Sequence, residues 1–280
     1  MIKGKPEKPA IALSPEGVEP SVLSFTRITP DGAQAPVTRE LAEEVPIALE
    51  FNGIGYAVLM ATPTDIPELM LGFALAERLV APGDAPFDVD VHDTAQGVIA
   101  RATLPEDRVE GLLNRVRHRA SDSSCGLCGI ENLEQAIRPL PTVTARSKAS
   151  RAAIFRALED LSAHQPLNGR TGAAHAAALA GPDGSIRLAY EDVGRHNAFD
   201  KLIGAMRRHG LSWDGGFALL SSRCSYELVE KAVLADCPLL VTISAPTRLA
   251  ADRAAAAGLP LVVLARRDAV LATSPLAPIG

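Results

Sequence analysis

The stretch Gly216–Ala265, GFALLSSRCSYELVEKAVLADCPLLVTISAPTRLAADRAAAAGLPLVVLA, decides the fold. Three apolar runs, 216–222, 238–245 and 259–265, alternate with two segments of helical pattern. Pro246 stands in the first turn of the second helical segment and Gly258 just beyond its end, where helices favour these residues. Apolar strands that alternate with helices predict a parallel, buried sheet with right-handed crossovers.

The loops that follow these strands are rich in polar and basic residues. They span 221–225, 244–248 and 265–269, and they carry Arg223, Arg248, Arg266 and Arg267 together with serines and a threonine. Ligands of such sheets bind at the carboxyl ends of the strands, where helix N-termini and arginines hold phosphates. The pattern favours a large polyanion such as a nucleotide. The P-loop and GxGxxG signatures are absent, so neither ATP-driven chemistry nor NAD is supported.

Upstream of this stretch lie two predicted strands and two predicted helices. AHAAALAG and SIRLAYEDV flank a Pro-Asp-Gly turn and predict a hairpin, SKASRAAIFRALEDLSAHQ predicts a helix, and VGRHNAFDKLIGAMRRHG predicts another that ends at Gly210. A solvated helix start would explain Asp192 as a cap. Arg195 and His196 instead add charge to an anion-binding helix start. Taken alone, His175 is most simply a hydrogen-bonded core histidine.

The first half of the chain has a different sequence pattern. Residues 1–20 are rich in Pro, Lys and Glu and predict a flexible tail. Residues 21–120 predict a small α+β domain with a hairpin at Asn52-Gly53, a helix capped by Thr64 or Asp65 with Pro67 in its first turn, and a second strand pair, FDVDVHD and GVIARATL. The polar run 117–124, RHRASDSS, is interpreted as flexible. Residues 121–280 form the larger predicted domain.

Composition excludes several classes of protein. The chain has 280 residues, 47% of them hydrophobic, and a net charge of −5, which gives no footprint for non-specific nucleic-acid binding. No run of about 18 apolar residues predicts a membrane span, and the start lacks the apolar core of a signal peptide. We therefore expect a cytoplasmic protein without nucleic-acid or membrane partners, whose four cysteines are not a disulfide framework.

Cys125 and Cys128, in SSCGLCG, allow zinc binding, redox chemistry or sulfur transfer. Zinc needs four ligands, but Cys224 and Cys237 stand 13 apart and are expected to be small core hydrophobes, so no permanently bound metal is expected. A thioredoxin-like site would follow a strand, whereas the preceding run is polar. A mobile loop before a helix start, which lowers a thiol pKa, best suits a sulfur carrier.

Several motifs occur together in a characteristic order. They are CGLCG, RTGAAHAAAL, EDVGRHNAFDKLIG, SSRCSYELVEKA and SAPTRLA, preceded in the first half by Asn52, Gly53, Met60, Thr62, Pro63, Asp65, Glu68, Leu69, Gly72 and Phe73. Over about residues 40–270 the chain resembles the FdhD family of formate dehydrogenase accessory sulfurtransferases.

The resemblance implies an α/β fold, α+β overall, whose larger domain is cytidine-deaminase-like, and a homodimer. It implies that sulfur passes from a cysteine desulfurase, through a persulfide on Cys125 with Cys128 as its companion, to molybdenum (or tungsten) bis(molybdopterin guanine dinucleotide), bound as substrate, for use by formate dehydrogenase. Cofactor contacts are expected in the last loop and around the arginines, at Leu264, Ala265, Arg266, Arg267, Asp268, Ala269, Arg223, Arg248, His175 and His196.

The chain departs from the family pattern at three places: Ala173 replaces a glycine, Thr242-Ile243 replaces Ser-Arg, and Ala269 replaces a basic residue. Deaminase activity is not expected, because no histidine is followed by x-Glu and no proline precedes CGLC. The predicted function is that of an enzyme, a persulfide sulfurtransferase. The alternatives are a non-catalytic cofactor-binding chaperone and a zinc-stabilised nucleotide-binding module.

Overall fold

The computed structural model describes residues 21–121 and 138–274, with backbone only for 114–121. The described chain forms a mixed α/β structure with sheets of two, six and four strands. The predicted tail at 1–20 and the CGLCG loop lie outside the described residues, so the predictions of a flexible tail and a mobile loop stay predictions.

A two-stranded antiparallel ribbon opens the described chain. It consists of β1, Ser21–Ile28, and β2, Gln34–Leu41, joined by a turn. Nearly every residue of both strands is exposed on both faces. A two-stranded ribbon without cover is marginally stable in water, so this element is a candidate for contact with another chain.

The four-stranded sheet contains both strand pairs that the sequence predicts. Its strands are β3 (Val45–Phe51), β4 (Ile54–Ala61), β5 (Asp90–Thr94) and β6 (Gly97–Ala102), in the order β4-β3-β6-β5. Asn52 and Gly53 both have positive φ, 53° and 76°, which confirms the predicted hairpin turn. The parallel pairing of β3 with β6 joins the two hairpins.

Two helices accompany this sheet, and the sequence predicted only the first. Helix α1, Ile66–Ala76, begins with proline in its first turn as expected, but its N-cap Asp65 is left-handed and makes no side-chain capping bond. Helix α2, Glu106–Ser121, was missed. Residues 117–121, interpreted as flexible, belong to its last turns. Its sequence carries acidic residues in the first turn and apolar residues at helical spacing, of which Leu112 is buried in the core.

The six-stranded sheet has the order β12-β11-β10-β9-β7-β8. Strands β9, β10 and β11 are parallel as predicted, the predicted β7–β8 hairpin is antiparallel, and β12 is an antiparallel edge strand. The strands are β7 (His175–Ala180), β8 (Ile186–Asp192), β9 (Phe217–Leu220), β10 (Leu240–Thr242), β11 (Leu261–Val263) and β12 (Leu271–Ala272).

Helices cover both faces of this sheet. Buried residues of α5, α6 and α7 share one core with α1 and the four-stranded sheet, and α3 packs in a second core on the opposite face. The helices are α3 (Arg151–Asp160), α4 (Pro166–Thr171), α5 (Arg195–Arg208), α6 (Tyr226–Leu234) and α7 (Arg248–Ala257). In the described ranges, none of the helices is long and apolar enough to cross a bilayer.

Helices α1 and α5 cross at two glycines. A Cβ on Gly72 would lie 1.9 Å from the backbone oxygen of Asp200, and one on Gly204 would lie 1.8 Å from that of Glu68. The two predicted domains therefore pack backbone to backbone, through one continuous core. The layered α/β class is confirmed. The domain boundaries and the deaminase-like detail stay predictions.

Candidate functional site

Five strand ends meet at one edge of the six-stranded sheet. The carboxyl ends of β8, β9, β10 and β11 and the amino end of β7 lie there, because β7 is antiparallel to both of its neighbours. Cys224 bridges to Pro246, which joins the first two polar loops, and the N–H of Leu264 donates to the oxygen of Ser244 at 3.2 Å, which joins the third. The three loops that the sequence singles out are thus neighbours.

Four side chains at this edge form what we call the His–Arg cluster: His175, Arg195, His196 and Arg223. They come from the start of β7, the first turn of α5 and the loop after β9. Partial burial lowers the pKa of His175, and the positive charges of Arg195, His196 and Arg223 lower it further. An imidazole so placed is largely neutral at pH 7, and the cluster as a whole attracts anions.

Arg195 has unused hydrogen-bonding capacity. Its Nε is buried and has no hydrogen-bond partner within the described residues. Arg223 of the same cluster is exposed. Together with the N–H groups at the start of α5, these guanidinium groups suit a phosphate or a carboxylate.

One acidic residue, Glu227, lies beside the cluster. Its Oε2 is 2.8 Å from Nε2 of His196, which also lies 3.3 Å from Oγ of Ser225. The hydrogen bond from His196 lowers the pKa of Glu227. The sequence analysis missed this residue, because an acidic group in the first turn of a helix ordinarily complements the helix dipole.

A buried carboxylate, Asp192, anchors the start of α5. Its Oδ2 lies 2.7 Å from Nζ of Lys201, and its Oδ1 accepts from the N–H of Gly194 and the amide of Asn197, at 2.8 and 3.0 Å. The N-cap is Gly194, so the explanation of Asp192 as the cap of a solvated helix is wrong. The junction is buried, and the carboxylate is needed as the counter-ion of a fully buried lysine.

The same anchor reaches into the first half of the chain. Oδ2 of Asp192 accepts from the N–H of Thr62, whose hydroxyl accepts from the N–H of Val193. The amide of Asn197 donates to the oxygen of Met60, and Nζ of Lys201 donates to that of Thr62. The end of β4 therefore helps to hold the helix that carries Arg195 and His196.

The other residues predicted to contact the cofactor, Arg248 and residues 264–269, differ in their surroundings. Arg248 is 91% exposed and pairs with Asp252 of its own helix at 2.9 Å, while Thr247 caps that helix. Leu264 has a positive φ of 47° and Ala265 is buried. An exposed turn follows, made of Arg266, Arg267, Asp268 and Ala269. It is closed by a hydrogen bond from the N–H of Arg266 to the backbone oxygen of Ala269.

The cysteines of the described chain are buried. Cys224 and Cys237 are both fully covered, and burial raises the pKa of each thiol to about 12. The prediction that they are small core hydrophobes is confirmed. Cys125 and Cys128 lie outside the described residues. Among the residues that are described, no three His, Cys, Asp or Glu side chains form a metal-binding group.

Comparison with known proteins gives a consistent result. The chain is 45% identical over 240 residues to the sulfur carrier protein FdhD of Chromobacterium violaceum, covering 85% of this chain and 89% of the relative. It is 42% identical over 259 residues to the protein of that name from Xanthomonas campestris pv. campestris, covering 91% of each.

A solved structure shares the fold. The crystal structure described as a formate dehydrogenase accessory protein from Desulfotalea psychrophila superimposes with a TM-score of 0.69 at 19% identity, covering 90% of this chain and 96% of that one. The model of the FdhD/NarQ family matches residues 42–273, which include the whole edge described above. The chain belongs to the FdhD/NarQ family.

Proposed function

We propose that the protein is a cytoplasmic sulfurtransferase that carries sulfur for formate dehydrogenase. A cysteine desulfurase delivers sulfane sulfur to Cys125 as a persulfide, and the sulfur then passes to molybdenum bis(molybdopterin guanine dinucleotide). The relatives named as sulfur carrier proteins, which match the chain over most of its length, support this assignment.

The observation that carries the proposal is that two of the four cysteines are buried and unreactive. Cys224 and Cys237 are buried and have a pKa of about 12, so they offer almost no thiolate at neutral pH. Since the thiolate is the nucleophile in sulfur chemistry, a carrier role falls to Cys125 and Cys128.

The His–Arg cluster supports a dinucleotide cofactor as the molecule that receives the sulfur. A dinucleotide cofactor is a polyanion, and the cluster offers Arg195 and Arg223 beside the N-terminus of α5. The exposed arginines of the last loop, Arg266 and Arg267, lie at the same edge of the sheet. This distribution of charge, on a chain with a net charge of −5, favours one anion site over general attraction to polyanions.

The release of sulfur needs two electrons, which the two thiols supply. The thiolate of Cys128 attacks Sγ of Cys125, the bond to the outer sulfur breaks, and that sulfur leaves as hydrosulfide. The product is a Cys125–Cys128 disulfide, which a thiol reductant must reduce before the next cycle. The balance is complete, since one sulfane sulfur is reduced and two thiols are oxidised.

Maturation of formate dehydrogenase in cells that lack their own carrier tests this function. We expect Cys125→Ala to abolish formate dehydrogenase activity, whereas Cys224→Ala, the matched control at a buried thiol, retains it. Full maturation by Cys125→Ala would reject sulfur transfer. It would favour a chaperone that only escorts the cofactor.

We also propose that the protein is a homodimer that pairs through the β1–β2 ribbon. One face of the ribbon carries Leu23, Phe25, Val37 and Leu41, each 37–49% exposed. A second copy is the occupant that we favour, because this apolar face can pack against the same face of a second ribbon about a twofold axis, and that packing would cover both ribbons.

Sedimentation equilibrium tests the dimer. We expect the wild-type chain to be dimeric and Phe25→Glu to be monomeric. Thr26→Glu, on the opposite face of the same strand, is the matched control and should stay dimeric. A monomeric wild-type protein, or an unchanged dimer in Phe25→Glu, would exclude this surface.

A further inference from the structure

His175 occupies the central position of the His–Arg cluster. It is the first residue of β7, which lies between β9 and β8 in the six-stranded sheet. On one side His175 pairs with Asp192, the last residue of β8. On the other side the N–H of Ala176 donates to Oγ of Ser221 at 2.8 Å, and the N–H of Ser221 donates to the oxygen of Ala176 at 3.0 Å. The start of β7 is therefore held against the ends of both neighbouring strands.

Each of these neighbouring strands leads to an arginine. Strand β8 ends at Asp192, shortly before Arg195. Strand β9 ends at Leu220, shortly before Arg223. Within the described residues, neither arginine takes part in a hydrogen bond or an ion pair through its side chain, and Nε of Arg195 is buried without a partner. The imidazole of His175 thus stands between two guanidinium groups that have no counter-ion in the described chain.

Two carboxylates lie close to the cluster, and both are engaged elsewhere. Glu227, which acts on Arg195, lies 2.8 Å from Nε2 of His196. Asp192 lies 2.7 Å from Nζ of Lys201, and both of these side chains are completely buried. Neither carboxylate is left to neutralise the arginines. Partly buried positive charges of this kind are best satisfied by an anion from solution.

The surroundings of His175 keep its ring neutral when the site is empty. The charged groups that act on the ring come from three elements, and they are Asp192 on β8, Arg195 and His196 on α5, and Arg223 in the loop after β9. Burial lowers the pKa of His175 most, the three positive groups lower it further, and the carboxylate opposes them. An anion held between the arginines would cancel part of their charge and place a negative charge beside the ring, which favours the imidazolium.

We propose that His175 is a third ligand of an anion that Arg195 and Arg223 hold, and that its imidazole takes up a proton from solvent when this anion binds. The anion is a dianion of the phosphate or sulfate class. The inference rests on the proposed function, which assigns the cluster to the phosphates of the dinucleotide cofactor. Because linkage is reciprocal, protonation of His175 tightens the binding of the anion by the same factor.

Sulfate is the probe that tests this linkage, because it stays a dianion throughout the pH range used. The imidazole resonances of the full-length chain are followed by NMR from pH 5 to pH 8, in sulfate and in chloride of the same ionic strength. The resonance of His175 is the one that is missing from the spectrum of His175→Gln. Sulfate affinity is measured from the shifts of the same spectra at pH 7.5 and pH 5.5.

We expect sulfate to raise the midpoint of the His175 titration. The sulfate affinity of the wild-type chain should rise about tenfold from pH 7.5 to pH 5.5, since an opposite charge beside an imidazole shifts its pKa by at least about one unit. His175→Gln should keep the affinity measured at pH 7.5 and lose most of this rise. Arg195→Gln should bind sulfate weakly and should raise the His175 midpoint in chloride, because it removes a positive charge from beside the ring.

The matched control is His92→Gln. His92 lies on β5, in the four-stranded sheet, and pairs with Asp90 at 2.7 Å. Its replacement should leave the sulfate affinity and its dependence on pH as they are in the wild type. If His175→Gln fails to fold, the His175 resonance is identified by single replacement of the other histidines, and the wild-type titration decides.

The outcomes separate the inference from the function on which it rests. Sulfate binding that leaves the His175 midpoint unchanged, or an equal rise in affinity on acidification in His175→Gln, would overturn the inference alone. A wild-type chain that binds no sulfate at either pH would overturn both the inference and the assignment of the cluster to the cofactor. Displacement of sulfate by GDP at pH 7.5 would support that assignment. A shifted midpoint without displacement by GDP would keep the proton linkage and reject the cofactor as the source of the anion.

Discussion

Nζ of Lys201 lies 2.7 Å from Oδ2 of Asp192, and both side chains are completely buried. The pair joins α5 to the end of β8, and the same lysine and carboxylate bind the backbone of Thr62. The first turn of α5, with Arg195 and His196, is therefore held by two halves of the chain at once. The buried ion pair and its hydrogen bonds to Thr62 therefore fix the position of Arg195 and His196.

Removing one member of this pair should be costly. Lys201→Met leaves the carboxylate of Asp192 buried without its counter-ion, and we expect it to lower the free energy of unfolding by about 3–5 kcal/mol. Urea denaturation measures this loss. The control is Asp160→Asn, since Asp160 forms a half-exposed pair with Arg156 at 3.9 Å and should change stability by less than about 1 kcal/mol. Equal losses in the two variants would show that the buried pair does not anchor the fold.

The glycine crossing predicts a second effect on stability. Gly204→Ala places a methyl group against the backbone oxygen of Glu68 and should lower the free energy of unfolding by about 3 kcal/mol, since neither helix can move away without opening the core. Gly111→Ala is the matched control, because Gly111 is an exposed helical glycine with open space around it. It should stabilise the protein by up to about 1 kcal/mol. A stable Gly204→Ala would contradict the close approach of α1 and α5.

Sequence reasoning recovered the parts of the fold that follow from local patterns. The parallel strands β9, β10 and β11 follow from apolar runs between helical segments, and the turn at Asn52-Gly53 follows from the tolerance of those residues for positive φ. Helix α2 was missed although Val109, Leu112, Leu113 and Val116 stand at the i, i+3, i+4, i+7 spacing of an apolar stripe, because this short stripe runs into the polar segment 117–124.

The composition of the site was harder to foresee than its location. The location of His175, His196 and Arg223 at one edge of the six-stranded sheet follows from topology, since the carboxyl ends of parallel strands meet at one edge. Glu227 was not foreseen because it stands 31 positions from His196, and no spacing rule connects them. The role of Asp192 as a buried counter-ion was not foreseen, because its partner Lys201 stands nine positions further along the chain, in a segment whose sequence is equally compatible with a solvated helix.

The environments of the cysteines predict different reactivities. Iodoacetamide at pH 8 should leave Cys224 and Cys237 of the native protein unmodified, because burial both covers the thiols and raises their pKa to about 12. Cys125 and Cys128 should react within minutes if they serve as carriers. Peptide mapping identifies the labelled sites, with the protein unfolded in guanidinium as the control in which all four cysteines react. Rapid native labelling of Cys224 would contradict its burial.

His175 should make the protein less stable in acid. Its pKa in the folded chain is lowered below the unfolded value of 6.5, chiefly by burial, so the unfolded chain takes up the proton first. As the pH falls below about 6.5, protonation therefore favours unfolding until the folded imidazole also titrates. Urea denaturation at pH 7.5 and 5.5 should show a smaller loss of stability on acidification for His175→Gln than for the wild type. Identical losses would mean that His175 titrates alike in both states.

The most direct test of the sulfur-carrier assignment is intact mass spectrometry of the purified protein after incubation with a cysteine desulfurase and cysteine. The account predicts a gain of one sulfur, about 32 Da, which reductant removes and which Cys125→Ala does not acquire. No gain in the wild-type chain, or an equal gain in Cys125→Ala, would contradict persulfide formation at Cys125.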